Sequence, residues 1–155
     1  MSKKKVAIVG GGLAGSEAAW QLGRMGIVSN LYEMRPNKKT PAHKTSLLAE
    51  LVCSNSFRSD DHTNNAVGQL HWEMRAANGL IISVGDKARI PAGSAMAVDR
   101  MKFSSKITNL IKNNSLINII QKEIIDLKQL TEDHVIIASG PLTSNNLAFS
   151  IPTDI

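Results

Sequence analysis

The strongest constraint on the fold is a glycine pattern near the start of the chain. Gly10-Gly11-Gly12-Leu13-Ala14-Gly15 reads G-x-G-x-x-G and follows directly on a short apolar run, Val6-Ala-Ile-Val9. That run reads as a buried parallel strand. Beyond the glycines, Ala14, Ala18, Leu22 and Met25 fall on one face of a helix over Leu13–Met25, which Gly26 stops. Ile27–Glu33 reads as a second strand, ended by Arg35-Pro36. Strand, glycine turn, helix, strand and acid thus occur in the order of a dinucleotide-binding βαβ unit.

Each residue of the turn has a physical reason to be there. Gly10 permits the tight turn, Gly12 lets the backbone approach a pyrophosphate, and Gly15 lets the helix pack closely on the strand. Leu13 and Ala14 open the helix, whose free N–H groups and positive dipole end favour phosphate. Glu33 ends the second strand, where a carboxylate accepts both hydroxyls of an adenosine ribose and repels a 2′-phosphate. NADP is therefore disfavoured at this site. The expected cofactor-binding residues are Gly10, Gly11, Gly12, Leu13, Ala14, Gly15, Glu33 and Arg35.

The fold class expected is α/β, a Rossmann-like FAD/NAD(P)-binding fold with a parallel sheet, apparently truncated at Ile155. Residues 37–65 form a long polar stretch with an apolar island at Leu47–Val52, too long for a plain connection. Val67, Leu70, Met74 and Ala77 give a second helical stripe, closed by Gly79. Asp86–Gly93 reads as a loop and Ala95–Val98 as a short strand, with Asp99 placed to cap a helix carrying Phe103, Ile107, Leu110 and Ile111. Leu116–Ile120 and Glu123–Leu127 read as short strands, and Val135–Ile137 as a buried one. The expected organisation is the N-terminal part of an FAD-binding domain over 1–155, with an insertion at about 37–98.

Composition removes other classes. No apolar run is long enough to span a bilayer, and no secretory signal precedes Val6, so the expected compartment is cytoplasm with no membrane partner. Cys53 is the only cysteine, which rules out an intrachain disulfide. The four histidines show no metal-ligand spacing, so no metal is expected, and His43 and His71 read as surface or loop residues. A net charge of +5 fits an anionic partner, although on composition alone scattered lysines that keep the chain soluble are the better explanation.

Ile136-Ile137-Ala138-Ser139-Gly140 resembles the turn that follows a late strand in two-dinucleotide-fold flavoproteins, which favours FAD. Three further stretches resemble the bacterial folate- and FAD-dependent tRNA (uracil-5-)-methyltransferases, the TrmFO family. They are Leu31-Tyr-Glu-Met-Arg-Pro36, Thr40–Thr45 continuing into Leu48–Ser59 around Cys53, and Asp86–Gly93 with Ala97-Val-Asp-Arg100, followed by Ser139–Ser144. The departures are small, such as Ser94 where the pattern has a second glycine. Members of that family are considerably longer than this chain.

The resemblance implies a one-carbon unit taken from methylenetetrahydrofolate and reducing equivalents from FAD, itself reduced by NADPH or NADH. The product implied is 5-methyluridine in the tRNA T loop, with tRNA and folate as partners. Uracil C5 is a poor nucleophile until the ring is activated, and a thiolate adding at C6 is one way to activate it. Cys53 matches the family's cysteine motif and is the expected catalytic residue; the family also uses a second cysteine, which this chain does not contain, and the sequence does not divide nucleophile and supporting roles between the two. Asn55, Ser56 and Arg58 lie in the same polar loop. Two other readings stand beside this one: a related flavoprotein of wobble-uridine modification, and an inactive FAD-binding remnant. A sheet that lacks its closing strands exposes an apolar edge, which brings in a second polypeptide as a candidate partner.

Overall fold

The computed structural model describes residues 4–151. Four parallel strands form the main sheet: β1 (Lys5–Val9), β2 (Val28–Glu33), β6 (Ile117–Gln121) and β7 (His134–Ile137), in the spatial order β6-β2-β1-β7. The register sets Ile8 beside Leu31 on one side and Ile136 on the other. Between β1 and β2 runs α1 (Leu13–Arg24). The parallel sheet and the βαβ opening are those expected from the sequence.

One face of the sheet is packed by α1 and α4 (Arg100–Lys112). Val6, Ile8, Leu31 and Ile117 meet Ala19, Phe103, Ile107 and Ile111 there, in the principal core. The opposite face carries a smaller cluster of Val9, Ile124 and Leu147, the last from α5 (Asn145–Ser150). This two-sided cover is what a parallel sheet requires.

Residues between β2 and α4 build a second unit. β3 (Ser56–Ser59), β4 (Arg89–Ile90) and β5 (Ala95–Val98) form an antiparallel sheet in the order β3-β5-β4. Two helices accompany it, α2 (Ala66–Ala76) and α3 (Leu80–Lys87). Asn65 caps α2 and Asp99 caps α4, each through its side-chain oxygen.

The structure departs from the sequence reading at five places. The buried residues of α1 are Gly15, Ser16 and Ala19, and Met25 is 70% exposed, so the packed face is rotated from the predicted one. Residues 123–127 form no strand: Ile124 turns into the smaller core, and Asp126 caps a short 3-10 turn at Leu127–Gln129. The loop predicted from Asp86 contains the end of α3 and all of β4. β7 pairs only with β1, and Val135, Ile136 and Ile137 are 41%, 36% and 39% exposed, so it is an edge strand and not a buried one. His71 is buried and not a surface residue. No helix among the described residues is long and apolar enough to cross a membrane.

Candidate nucleotide site

The strand order reverses direction at β1: the chain goes from β1 outward to β2, while β7 lies on the other side. A crevice at such a switch point, beyond the carboxyl ends of the strands, is where open α/β sheets bind ligands. Here it is a cavity of about 320 Å³. The glycine turn and Leu13–Ala14 form its floor, and Tyr32–Arg35 with His43, Glu50 and Val52 form one wall. The other wall consists of residues 122–124 and 138–144, with Leu147.

The glycines are there for space. Gly10 has φ +106°, and a Cβ on it would sit 2.8 Å from the Ala138 carbonyl oxygen. That close approach brings the turn after β7 against the turn after β1. A Cβ on Gly15 would overlap the Gly10 carbonyl oxygen, so the helix could not pack as it does. Nothing lies within 4 Å of a Cβ built on Gly12, which leaves this backbone open to an approaching group. Gly12 also stands at the N-cap of α1 and offers no side-chain cap, so the first-turn N–H groups are left for an anion. This cradle fits a pyrophosphate.

Glu33 is held firmly. Its Oε2 accepts the Gly11 N–H at 2.9 Å and Arg35 Nη2–H at 3.0 Å; its Oε1 accepts the Arg35 backbone N–H and Nε–H, each at 2.9 Å. Burial works to raise the Glu33 carboxyl, but the Arg35 hydrogen bonds and charge and the Gly11 N–H outweigh it and hold it below the ordinary value. Arg35 is itself only 2% exposed and passes its Nη1 to Glu50 Oε2 at 3.0 Å. Arg35 therefore lies behind Glu33 as a buried counter-ion and also borders the cavity.

The segment leading to Cys53 is bolted to the glycine turn. The Ala49 N–H donates to the Gly11 carbonyl at 2.9 Å, and a Leu48 methyl sits 2.5 Å from where a Gly11 Cβ would be. Thr108 and Ser104 of α4 bond the backbone of Leu48 and Ala49. Cys53 is exposed, not packed as a small apolar side chain, and its carbonyl accepts from Arg100 Nη2 at 3.5 Å. Glu50 and Val52 border the cavity, whereas Cys53 lies outside it. Asn55 turns inward to donate to the Val98 carbonyl, and Arg58 sits at φ +70° with its side chain exposed.

Sequence reasoning missed part of this wall. His43 borders the cavity, with Thr40 Oγ1 3.0 Å from its Nδ1; burial, then the Arg35 charge, lowers its pKa. Glu123 and Ile124 were expected to begin a strand and instead, with Lys122, line the cavity. Glu50 lies within the Leu48–Ser59 stretch but had no expected role of its own there. Among the described residues no group of three or more His, Cys, Asp or Glu side chains is arranged to hold a metal ion.

The family model described as Glucose inhibited division protein A matches residues 5–150. The chain belongs to that family. Among curated proteins it is 56% identical over 151 residues to a Mesorhizobium japonicum protein named methylenetetrahydrofolate–tRNA-(uracil-5-)-methyltransferase TrmFO, covering 97% of this chain and 32% of that relative. A Zymomonas mobilis protein of the same name is 58% identical over 146 residues, covering 94% of this chain and 32% of the relative. The chain thus spans about a third of the length of the curated relatives it matches. Membership is in keeping with the fold: the solved structure of Aquifex aeolicus GidA superposes with a TM-score of 0.63 at 18% identity, over 84% of this chain and 21% of that one. The resemblance drawn from the motifs around Cys53 extends over nearly all of this chain.

Proposed function

We propose that this chain carries the nucleotide-binding and cysteine-bearing part of a folate- and FAD-dependent tRNA (uracil-5-)-methyltransferase, which forms 5-methyluridine in the T loop. The observation that carries the reading is the cavity where the glycine turn, Glu33 and the segment leading to Cys53 meet. The names of the 52–58% identical relatives supply the reaction. FAD, when bound, supplies the two-electron reducing chemistry, with NADPH or NADH as the reductant, methylenetetrahydrofolate as one-carbon donor and cytoplasm as the compartment.

The chain's own residues bind and orient. The first turn of α1 with Gly10–Gly15 takes the pyrophosphate, Glu33 takes the adenosine ribose, and Arg35 keeps Glu33 ionised. Residues 122–124 and 138–142 close over the adenosine end. Cys53, exposed and outside that cavity, is free to meet a uracil ring as a catalytic thiol, either adding at C6 as a thiolate to make C5 nucleophilic or supporting a second thiol of a longer protein that does so.

The test is mass analysis of tRNA from cells that lack the gene, alongside the visible spectrum of the purified protein. Loss of T-loop 5-methyluridine with a flavin-yellow protein is expected. A colourless protein, or loss of a wobble-uridine modification with the T loop intact, contradicts the reading. Replacing Cys53 by alanine is expected to cut methylation on the order of 10³-fold or more, as removal of a nucleophile does elsewhere.

A further inference from the structure

Glu33 as it stands has no acceptor position to spare. A carboxylate offers about four lone-pair sites, and four donors occupy them: the Gly11 N–H, the Arg35 N–H, Arg35 Nε–H and Arg35 Nη2–H. Two of these are backbone groups fixed by the turn. A ribose hydroxyl arriving at Glu33 therefore competes with the guanidinium, the one donor group that is able to swing. The guanidinium already holds Glu50 with Nη1 at 3.0 Å. Glu50 in turn accepts the Lys44 and Thr45 backbone N–H groups, each at 3.0 Å, on its other oxygen.

We infer that Glu50 is a positioning residue: through Arg35 it couples occupancy of the ribose-binding carboxylate Glu33 to the conformation of the segment that carries Cys53. Ligand hydroxyls on Glu33 release the guanidinium toward Glu50, which then grips the 44–53 segment more tightly. Glu50 is three residues before Cys53 and its side chain is only 10% exposed, so little else competes for it. The thiol becomes more firmly held when the nucleotide site is filled. By reciprocity, a firmly held segment favours nucleotide binding. This inference rests on the nucleotide reading above.

Cys53 is the only cysteine of this chain, so iodoacetamide alkylation mapped to the Cys53 peptide reports on this segment. ADP is the probe, since it carries the adenosine ribose and pyrophosphate but no isoalloxazine ring to cover the thiol directly. Saturating ADP is expected to slow alkylation of the unmodified protein about fivefold, the lower end of typical coupling between sites. Glu50→Gln, without ADP, is expected to react about fivefold faster than the unmodified protein, and its ADP response is expected to vanish although ADP still binds by equilibrium dialysis. Glu50→Asp, which keeps the charge but shortens the reach to the Arg35 guanidinium, gives the same two changes and serves if Glu50→Gln does not fold by circular dichroism. Wild-type rates and an undiminished ADP response in both variants overturn the coupling and leave nucleotide binding standing. Failure of the unmodified protein to bind ADP overturns the nucleotide reading itself, and the coupling with it.

Discussion

The two sheets share one apolar core, to which β5 gives Met96 and Val98, but the antiparallel one adds a network of charges to it. The parallel sheet is held by burial: Ile8, Leu31, Phe103, Ile107 and Ile111 are fully enclosed, and neighbouring strands match residue for residue. The antiparallel β3-β5-β4 sheet is short, its register shifts between Ser56 and Ser59, and charges join it to its helices. Asp60 accepts His71 Nδ1 at 2.9 Å, Arg75 Nη2 at 3.0 Å and Arg89 Nη2 at 2.9 Å, while Asp86 takes Arg75 Nη2 at 2.7 Å. The apolar sheet forms a stiff ledge for the glycine turn. The ionic one holds a polar surface beside Cys53 that is open to solvent.

Substitutions should separate the two units. The largest effect is expected for Gly15→Ala, because its Cβ would overlap the Gly10 carbonyl in the stiff half. A loss of about 3 kcal/mol, with FAD binding lost, is expected in denaturant unfolding with flavin fluorescence as second probe. Asp60→Asn leaves the His71, Arg75 and Arg89 donors short of their shared carboxylate and is expected to cost about 2 kcal/mol, seen as faster proteolysis within 54–98 while FAD affinity is kept. Equal losses in both halves would mean that they unfold as one unit.

Acid should expose the same contrast. Burial raises the Asp60 carboxyl, but the hydrogen bonds and charges of His71, Arg75 and Arg89 hold it below the ordinary value of 3.8. A carboxyl depressed in the folded state contributes its stability above the unfolded value and loses it as pH falls through the folded one. Glu33 has the same sign. Stability is therefore expected to be level from neutral pH down to the ordinary carboxylate range and to fall below it. Asp60→Asn should flatten that fall, measured by thermal unfolding against pH. The smallest effect is expected for Asn65→Ala, about 1 kcal/mol from the lost cap of α2.

How far the sequence announces each half follows from the same physics. β1, α1 and β2 are legible because an apolar strand, a glycine turn and an acid are all local signals, and the observed bounds lie within a residue of the predicted ones. The helix α3 is not legible: Leu80-Ile-Ile-Ser-Val84 has no distinct period, and its first N–H groups are capped by Glu17 of α1, far away in sequence. β3 is polar and exists only through its pairing with β5. Of the site, the phosphate turn, Glu33 and Cys53 stand out as motifs. Glu50 and the Asp60 network do not, because their meaning lies in partners that only folding brings near.

We propose above all that Glu33 holds the adenosine ribose of FAD at the end of β2. Titration calorimetry of FAD into the protein and into Glu33→Gln tests it most directly. A hydrogen bond to a charged group is worth about 1.5–3 kcal/mol, so the substitution should weaken FAD by about tenfold or more, with Cys53→Ser binding as tightly as the unmodified protein. Equal affinity for FAD with and without the Glu33 carboxylate would contradict the account.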